Sequence, residues 1–194
     1  MHLAQSPEAG DRAGDDGRLV SHVLRKDRKA TAEFVARCAD CVYPFVSRRM
    51  APRIEAVEDL MQEILLAAWQ GLPDFRAEAG LRAWFLGIAR HKVEDYYRKR
   101  IREAEVQEDE DSNAQPTIIL EIEEHLDGEA RQEKVHKTLS RLPEPYALAL
   151  LWRYRDEKSV REMAELTGKT EKAMERLLAR ARDNFKKRWN DDQS

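Results

Sequence analysis

Apolar residues recur along this chain at steps of three and four, the spacing of helix faces, and not in the alternation that marks strands. Leu19, Val20, Val23 and Leu24 outline a short amphipathic helix, followed by a charged connection from Lys26 to Ala30. Thr31 is placed to cap a second helix in which Phe34, Cys38, Cys41, Val42 and Phe45 share one face. Pro44 lacks an amide donor and is expected to kink or divide that helix, and Pro52 marks a loop after it. Val57, Leu60, Met61, Ile64, Leu65 and Ala68 then predict a third helix, ended by Gly71, Leu72 and Pro73. Beyond the loop Asp74 to Gly80, Leu81, Trp84, Phe85 and Ile88 open a fourth helix on its core side. Short connections between these segments predict an antiparallel helical bundle over residues 18–102.

The second half repeats the helical spacing with clearer punctuation. Val135, Leu139 and Leu142 lead to the string LPEPY, where Pro145 suits the first turn of a helix whose buried side is Ala147, Leu150, Leu151 and Tyr154. Ser159 with Glu162 three residues on is a capping box opening a helix through Val160, Met163, Ala164 and Leu166. Gly168 supplies a turn, and Thr170 caps a further helix that returns Met174, Leu177, Leu178, Ala181 and Phe185 to the core. Two helices about a short glycine-containing turn form a helix-turn-helix, so residues 131–194 read as a second domain. Residues 1–17, with Pro7, Gly10, Gly14 and Gly17 and no apolar period, read as a flexible tail. The expected fold class is therefore all-α: two small helical domains joined by an acidic linker, the C-terminal one a helix-turn-helix.

Composition refines this picture. With 42% hydrophobic and 37% charged residues among 194, the chain resembles soluble helical proteins. Its formal net charge of -3 looks wrong for a nucleic-acid binder, but the average conceals segregation. Residues 102–130 hold eleven acidic side chains against Arg102 alone, leaving the remainder net basic. That stretch reads as a solvated linker over 103–130, interrupted by the apolar cluster Ile118, Ile119, Leu120 and Ile122, which needs a partner. The absence of a membrane-length apolar run predicts a cytoplasmic protein without membrane insertion. Cys38 and Cys41 form a C-x-x-C pair, but their helical face and the lack of further ligands nearby in sequence favour two small core side chains over a metal site. Neither a glycine-rich phosphate loop nor a nucleophile elbow is present, so no catalytic residue and no cofactor is expected.

Two surfaces carry chemistry. Opposite the core side of the third helix lie Asp59, Gln62, Glu63 and Leu66, an acceptor-rich strip beside an exposed apolar residue that suits a basic partner. After it come Phe75 and Arg76 in the loop, then Arg90, His91, Tyr97, Arg98 and Lys99, a basic and aromatic mixture of the kind that neutralises phosphates and stacks on unpaired bases. In the helix-turn-helix, Lys169, Lys172, Ala173, Arg176 and Arg180 share an outward stripe after the cap Thr170, where a recognition helix meets the major groove.

The strings EDLMQEILLAAWQGLPDF and LRAWFLGIARHKVEDYYRKR resemble the second conserved region of bacterial sigma factors of the extracytoplasmic-function group, in the sigma-70 family. The stretch LSRLPEPYALALLWRYRDEKSVREMAELTGKTEKAMERLLARAR resembles their fourth region, in the family's order. The resemblance implies that Asp59, Gln62, Glu63 and Leu66 dock on the clamp helices of the largest subunit of core RNA polymerase. It implies that Phe75, Arg76, Arg90, His91, Tyr97, Arg98 and Lys99 hold the melted minus-10 promoter strand. Lys169, Thr170, Lys172, Ala173, Arg176 and Arg180 would bind the minus-35 duplex. An anti-sigma protein is the further partner it implies, and in the family the linker threads through the polymerase. His91 stands where related proteins often have Asn beside the base pocket, and Glu175 and Leu177 stand where basic residues are usual; Glu175 can accept from cytosine but repels phosphate. The competing expectation is a helix-turn-helix regulator that binds DNA without polymerase.

Overall fold

The computed structural model describes residues 8–77, 79–103 and 128–191. These form eight α-helices, with no strand among the described residues. They are α1 (Glu8–Leu24), α2 (Arg28–Met50), α3 (Val57–Gly71), α4 (Gly80–Glu103), α5 (Gly128–Ser140), α6 (Glu144–Leu150), α7 (Val160–Thr167) and α8 (Glu171–Asp191). The all-α expectation holds. Contacts divide the chain into two units, Met1–Glu94 and Asp95–Ser194. The boundary between the contact units falls inside α4, after Glu94, so residues 95–103 are grouped with the second unit. Residues 104–127 of the acidic linker, with its apolar cluster, lie outside the described residues.

Two sequence expectations are corrected in the first unit, the tail and the cap of α2. The expected tail is helical from Glu8, and its Asp16 is buried, so only residues 1–7 remain outside the description. The cap of α2 is Asp27, whose carboxylate accepts from the Ala30 N–H at 2.9 Å, while the Thr31 hydroxyl donates back to the Asp27 carbonyl. Asp and Thr are both good caps, and the chain takes the earlier one. Pro44 neither ends nor divides α2, which runs on to Met50. The core face of α2 is carried past Phe45 by Val46 and Met50.

The reason for this face is a strict step of four: Ala30, Phe34, Cys38, Val42, Val46 and Met50 are all buried. Such a row advances about 40° around the axis at each step, so successive neighbours must cover it. The helix α1, the helix α3 and the 3-10 turn Ile54–Ala56 do so. Val57, Leu60, Ile64 and Ala68 close the core from α3, and Leu81, Phe85, Ala89 and Val93 from α4. At its centre Phe34 meets Phe85 edge-on at 5.1 Å and Trp69 at 6.3 Å, geometry that aromatic quadrupoles favour.

In the second unit the buried set includes Leu139, Leu142, Ala147 to Trp152, Met163, Ala164, Met174, Leu177, Leu178, Ala181 and Phe185. The predicted capping box is present: the Glu162 carboxylate accepts from the Ser159 N–H at 2.7 Å, and the Glu162 N–H donates to the Ser159 hydroxyl at 3.2 Å. Gly168 ends α7 in the left-handed region at φ 70°, where a side chain would be strained. Tyr154, expected on the buried side, is 38% exposed, and Trp152 is buried instead. The cause is a π-helical turn over Leu151–Arg155, closed by the Asp156 N–H on the Leu151 carbonyl, which inserts a residue into the helical phase.

Candidate functional site

The exposed ridge of α3 follows from its buried one. With Val57, Leu60, Ile64 and Ala68 inward, helical geometry turns Asp59, Gln62, Glu63 and Leu66 outward, and all four are exposed. Leu66 is 57% exposed, an apolar group held in water among carboxylates and an amide. Trp69, one turn further, adds 44% exposure to the same face and was missed. The steps from Gln62 to Leu66 to Trp69 were the signal for it. Glu63 is not idle: its carboxylate pairs with the Lys92 ammonium of α4 at 3.2 Å, a half-exposed contact of modest strength.

A second surface starts where α3 ends. Phe75 packs on Trp84 at 5.1 Å, and Trp84 on Phe85 at 5.7 Å, so a chain of rings leads from the loop into the core. Gly71 makes room for it, since a Cβ there would lie 3.2 Å from the Trp84 ring. Phe75 is half-buried with a partner already in place, whereas Arg76, Arg90 and His91 are exposed. The remaining three expected DNA contacts fall in the second unit. Arg98 and Lys99 are exposed, and Arg98 pairs with Asp95.

Tyr97 is not at the surface. It is fully buried, with its ring 5.8 Å from Trp152 and its hydroxyl accepting from the Arg155 guanidinium at 2.7 Å. Its neighbour Tyr96 donates to Glu144, which also pairs with Arg100 at 3.3 Å. The reason is again a step of four: Leu81, Phe85, Ala89, Val93, Tyr97 and Ile101 form one buried row along α4. In this arrangement Tyr97 cannot stack on a base, which corrects the expectation for it.

The third surface is the start of α8. Thr170 caps it, its hydroxyl accepting from the Ala173 N–H at 3.1 Å. Thr170, Lys172 and Arg176 are exposed, as is Glu175, while Lys169, Ala173 and Arg180 are half-buried. The outward stripe is therefore narrower than the spacing suggested. Leu177 is 2% exposed, so it is a core residue at a position where a base contact is geometrically closed.

Two family models match the chain, Sigma-70 region 2 over residues 34–103 and Sigma-70, region 4 over residues 132–184. This chain belongs to the sigma-70 family. Among curated proteins it is 27% identical over 139 residues to the RNA polymerase sigma factor YlaC of Bacillus subtilis, covering 72% of this chain and 80% of that one. It is also 27% identical over 139 residues to the ECF RNA polymerase sigma factor SigM of the same organism, covering 69% and 79%. Of solved structures, CnrH in complex with the cytosolic domain of CnrY is similar with 23% identity and a TM-score of 0.39, covering 91% of this chain and 98% of that one. The family models and the curated relatives place this sigma factor in the extracytoplasmic-function group, and the region 2 match ends at the last residue of α4. Among the described residues no helix is long and apolar enough to cross a membrane, and no group of His, Cys, Asp or Glu side chains gathers as a metal site.

Proposed function

We propose that this sigma factor binds core RNA polymerase through the ridge Asp59, Gln62, Glu63, Leu66 and Trp69, and directs it to promoters through two DNA surfaces. The observation that carries the docking reading is the ridge itself, where two large apolar side chains stay in water beside acceptors on a helix whose other face is fully buried. An exposed apolar group rimmed by charge is the composition of a partner-binding patch. The clamp helices of the largest subunit are the partner this family uses, and their basic side chains would replace Lys92 as the counter-ion of Glu63.

Phe75, Arg76, Arg90 and His91, with Arg98 and Lys99, are proposed to hold the melted minus-10 strand. Cations neutralise its phosphates, and the ring chain behind Phe75 gives a flipped base a rigid platform. Thr170, Lys172, Ala173 and Arg176 are proposed to meet the minus-35 duplex, with Lys169 and Arg180 at its phosphates. The sigma factor performs no bond chemistry in this account. It binds melted DNA better than duplex and so shifts an equilibrium that the polymerase then uses. An anti-sigma protein masking the same surfaces in the cytoplasm is the proposed regulator.

The docking surface is tested by Glu63→Lys, which faces Lys92 with a like charge but lies on the surface. Its thermal transition should move little, while association with core polymerase in a pull-down falls about tenfold, the loss of one good interfacial charge contact. Unchanged association would remove α3 as the docking element.

A further inference from the structure

The helix α1 contributes to none of the surfaces above, yet it holds the one buried charged side chain among the described residues, Asp16. Both of its oxygens are engaged. Oδ2 accepts from the backbone N–H of Leu81 at 2.8 Å, and Oδ1 accepts from the Arg37 guanidinium of α2 at 3.1 Å. The Leu81 N–H belongs to the first turn of α4, so a carboxylate 65 residues away caps that helix.

The local chain could not do this itself. Ala79 stands at the position where a capping side chain would sit, and Gly80 follows it with φ +68°, a conformation glycine takes without strain. Neither residue has a side-chain oxygen to offer. The supplied cap is a charged acceptor at the positive end of a helix, in a buried place where water competes weakly. Arg37 completes it from a third helix, and also pairs with Glu33.

The helix α1 also packs on the 3-10 turn Leu72–Asp74. It therefore touches the chain immediately before Phe75 and again at Leu81, on both sides of the segment that carries Phe75 and Arg76. Its own position is set by Leu19, Val20 and Val23, each buried. Building on the proposed function, we propose that Asp16 is a positioning residue for strand capture: it fixes the first turn of α4, and through it Trp84 and the Phe75 ring packed against it at a tilt. Polymerase docking, carried by the opposite side of α3, does not depend on it.

The test uses the full chain, free and assembled with core polymerase, as wild type, Asp16→Ala, Asp16→Asn and Val20→Ala. The last loosens α1 without touching the cap. Hydrogen exchange at Leu81 should speed up in Asp16→Ala and stay slow in Val20→Ala under folding conditions. Binding of a single-stranded minus-10 oligonucleotide by the holoenzyme should weaken about tenfold in Asp16→Ala, with Asp16→Asn between it and wild type because an amide oxygen still accepts. Association with core should change less than twofold in every variant. Capture that tracks thermal stability alone, falling equally in Val20→Ala, would make Asp16 merely structural and overturn the proposal. So would capture by Asp16→Ala at the wild-type level. Wild-type holoenzyme that captured no strand would overturn the sigma reading and the strand-capture role together, and Leu81 exchange would show whether the cap itself exists.

Discussion

Cys38 decides what the C-x-x-C pair is for. It is 1% exposed in the middle of the buried row of α2, and burial, with the Cys41 thiol nearby, pushes its pKa up to about 12. Burial raises Cys41 as well, and its thiol rests on the Cys38 carbonyl at 3.5 Å. Thiolate is the reactive and metal-binding form, so at neutral pH neither side chain is poised for either role. Native protein treated with iodoacetamide at pH 8 should leave Cys38 unmodified while both cysteines react in denaturant, as a mass spectrum of the peptide would read. Alkylation of Cys38 in the native state at the rate of a free thiol would contradict the core assignment. The helical spacing of Phe34, Cys38 and Val42 made this core role legible from the sequence. Tyr97 was not legible in the same way. Its position among Arg98, Lys99 and Arg100 suggested a surface, and only the step-of-four row running from Leu81 to Ile101 places it inward.

At the scale of elements, what could be read from the sequence was the short-range syntax, and what could not was any partner supplied from a distance. The Ser159 and Glu162 box and the Gly168 turn depend on residues within a few positions, and all appear as expected. The Asp16 cap of α4 joins positions 65 apart, and the π-helical turn before Asp156 leaves no compositional trace. The box also carries a pH dependence. The N–H and then the hydroxyl of Ser159, both bonded to the Glu162 carboxylate, lower its pKa below the ordinary glutamate value. A lowered folded pKa means that this stabilisation is complete above the unfolded carboxylate range and is lost as pH falls through the folded value. Glu162→Gln retains an acceptor for the Ser159 N–H but no titrating charge. Circular-dichroism melts should therefore show wild type losing its advantage over Glu162→Gln as pH drops from neutrality into that acid range. Ser159→Ala should cost about 1 kcal/mol at neutral pH. A constant gap between wild type and Glu162→Gln across the titration would mean that the box bears no charge-dependent load.

For the whole molecule, the informative feature is charge segregation. The net charge of -3 comes from an acidic stretch over 102–130, and the rest of the chain is basic. A protein of this balance has basic surfaces able to hold phosphates but lacks the overall field that draws a free regulator to DNA. Core polymerase would tie two modest DNA surfaces into one assembly, where linked contacts gain by effective concentration. The same reasoning separates a sigma factor from a conventional helix-turn-helix regulator, whose operator complex forms without help. Footprinting at about 150 mM salt, where screening already limits unassisted phosphate attraction to roughly 8 Å, should show no protection of a promoter by the chain alone. Holoenzyme at equal concentration should protect both elements, and permanganate should find unpaired thymines at the upstream edge of the start site. Protection of one site by the free chain, unchanged when core is added, would instead assign the recognition helix of α8 to a regulator.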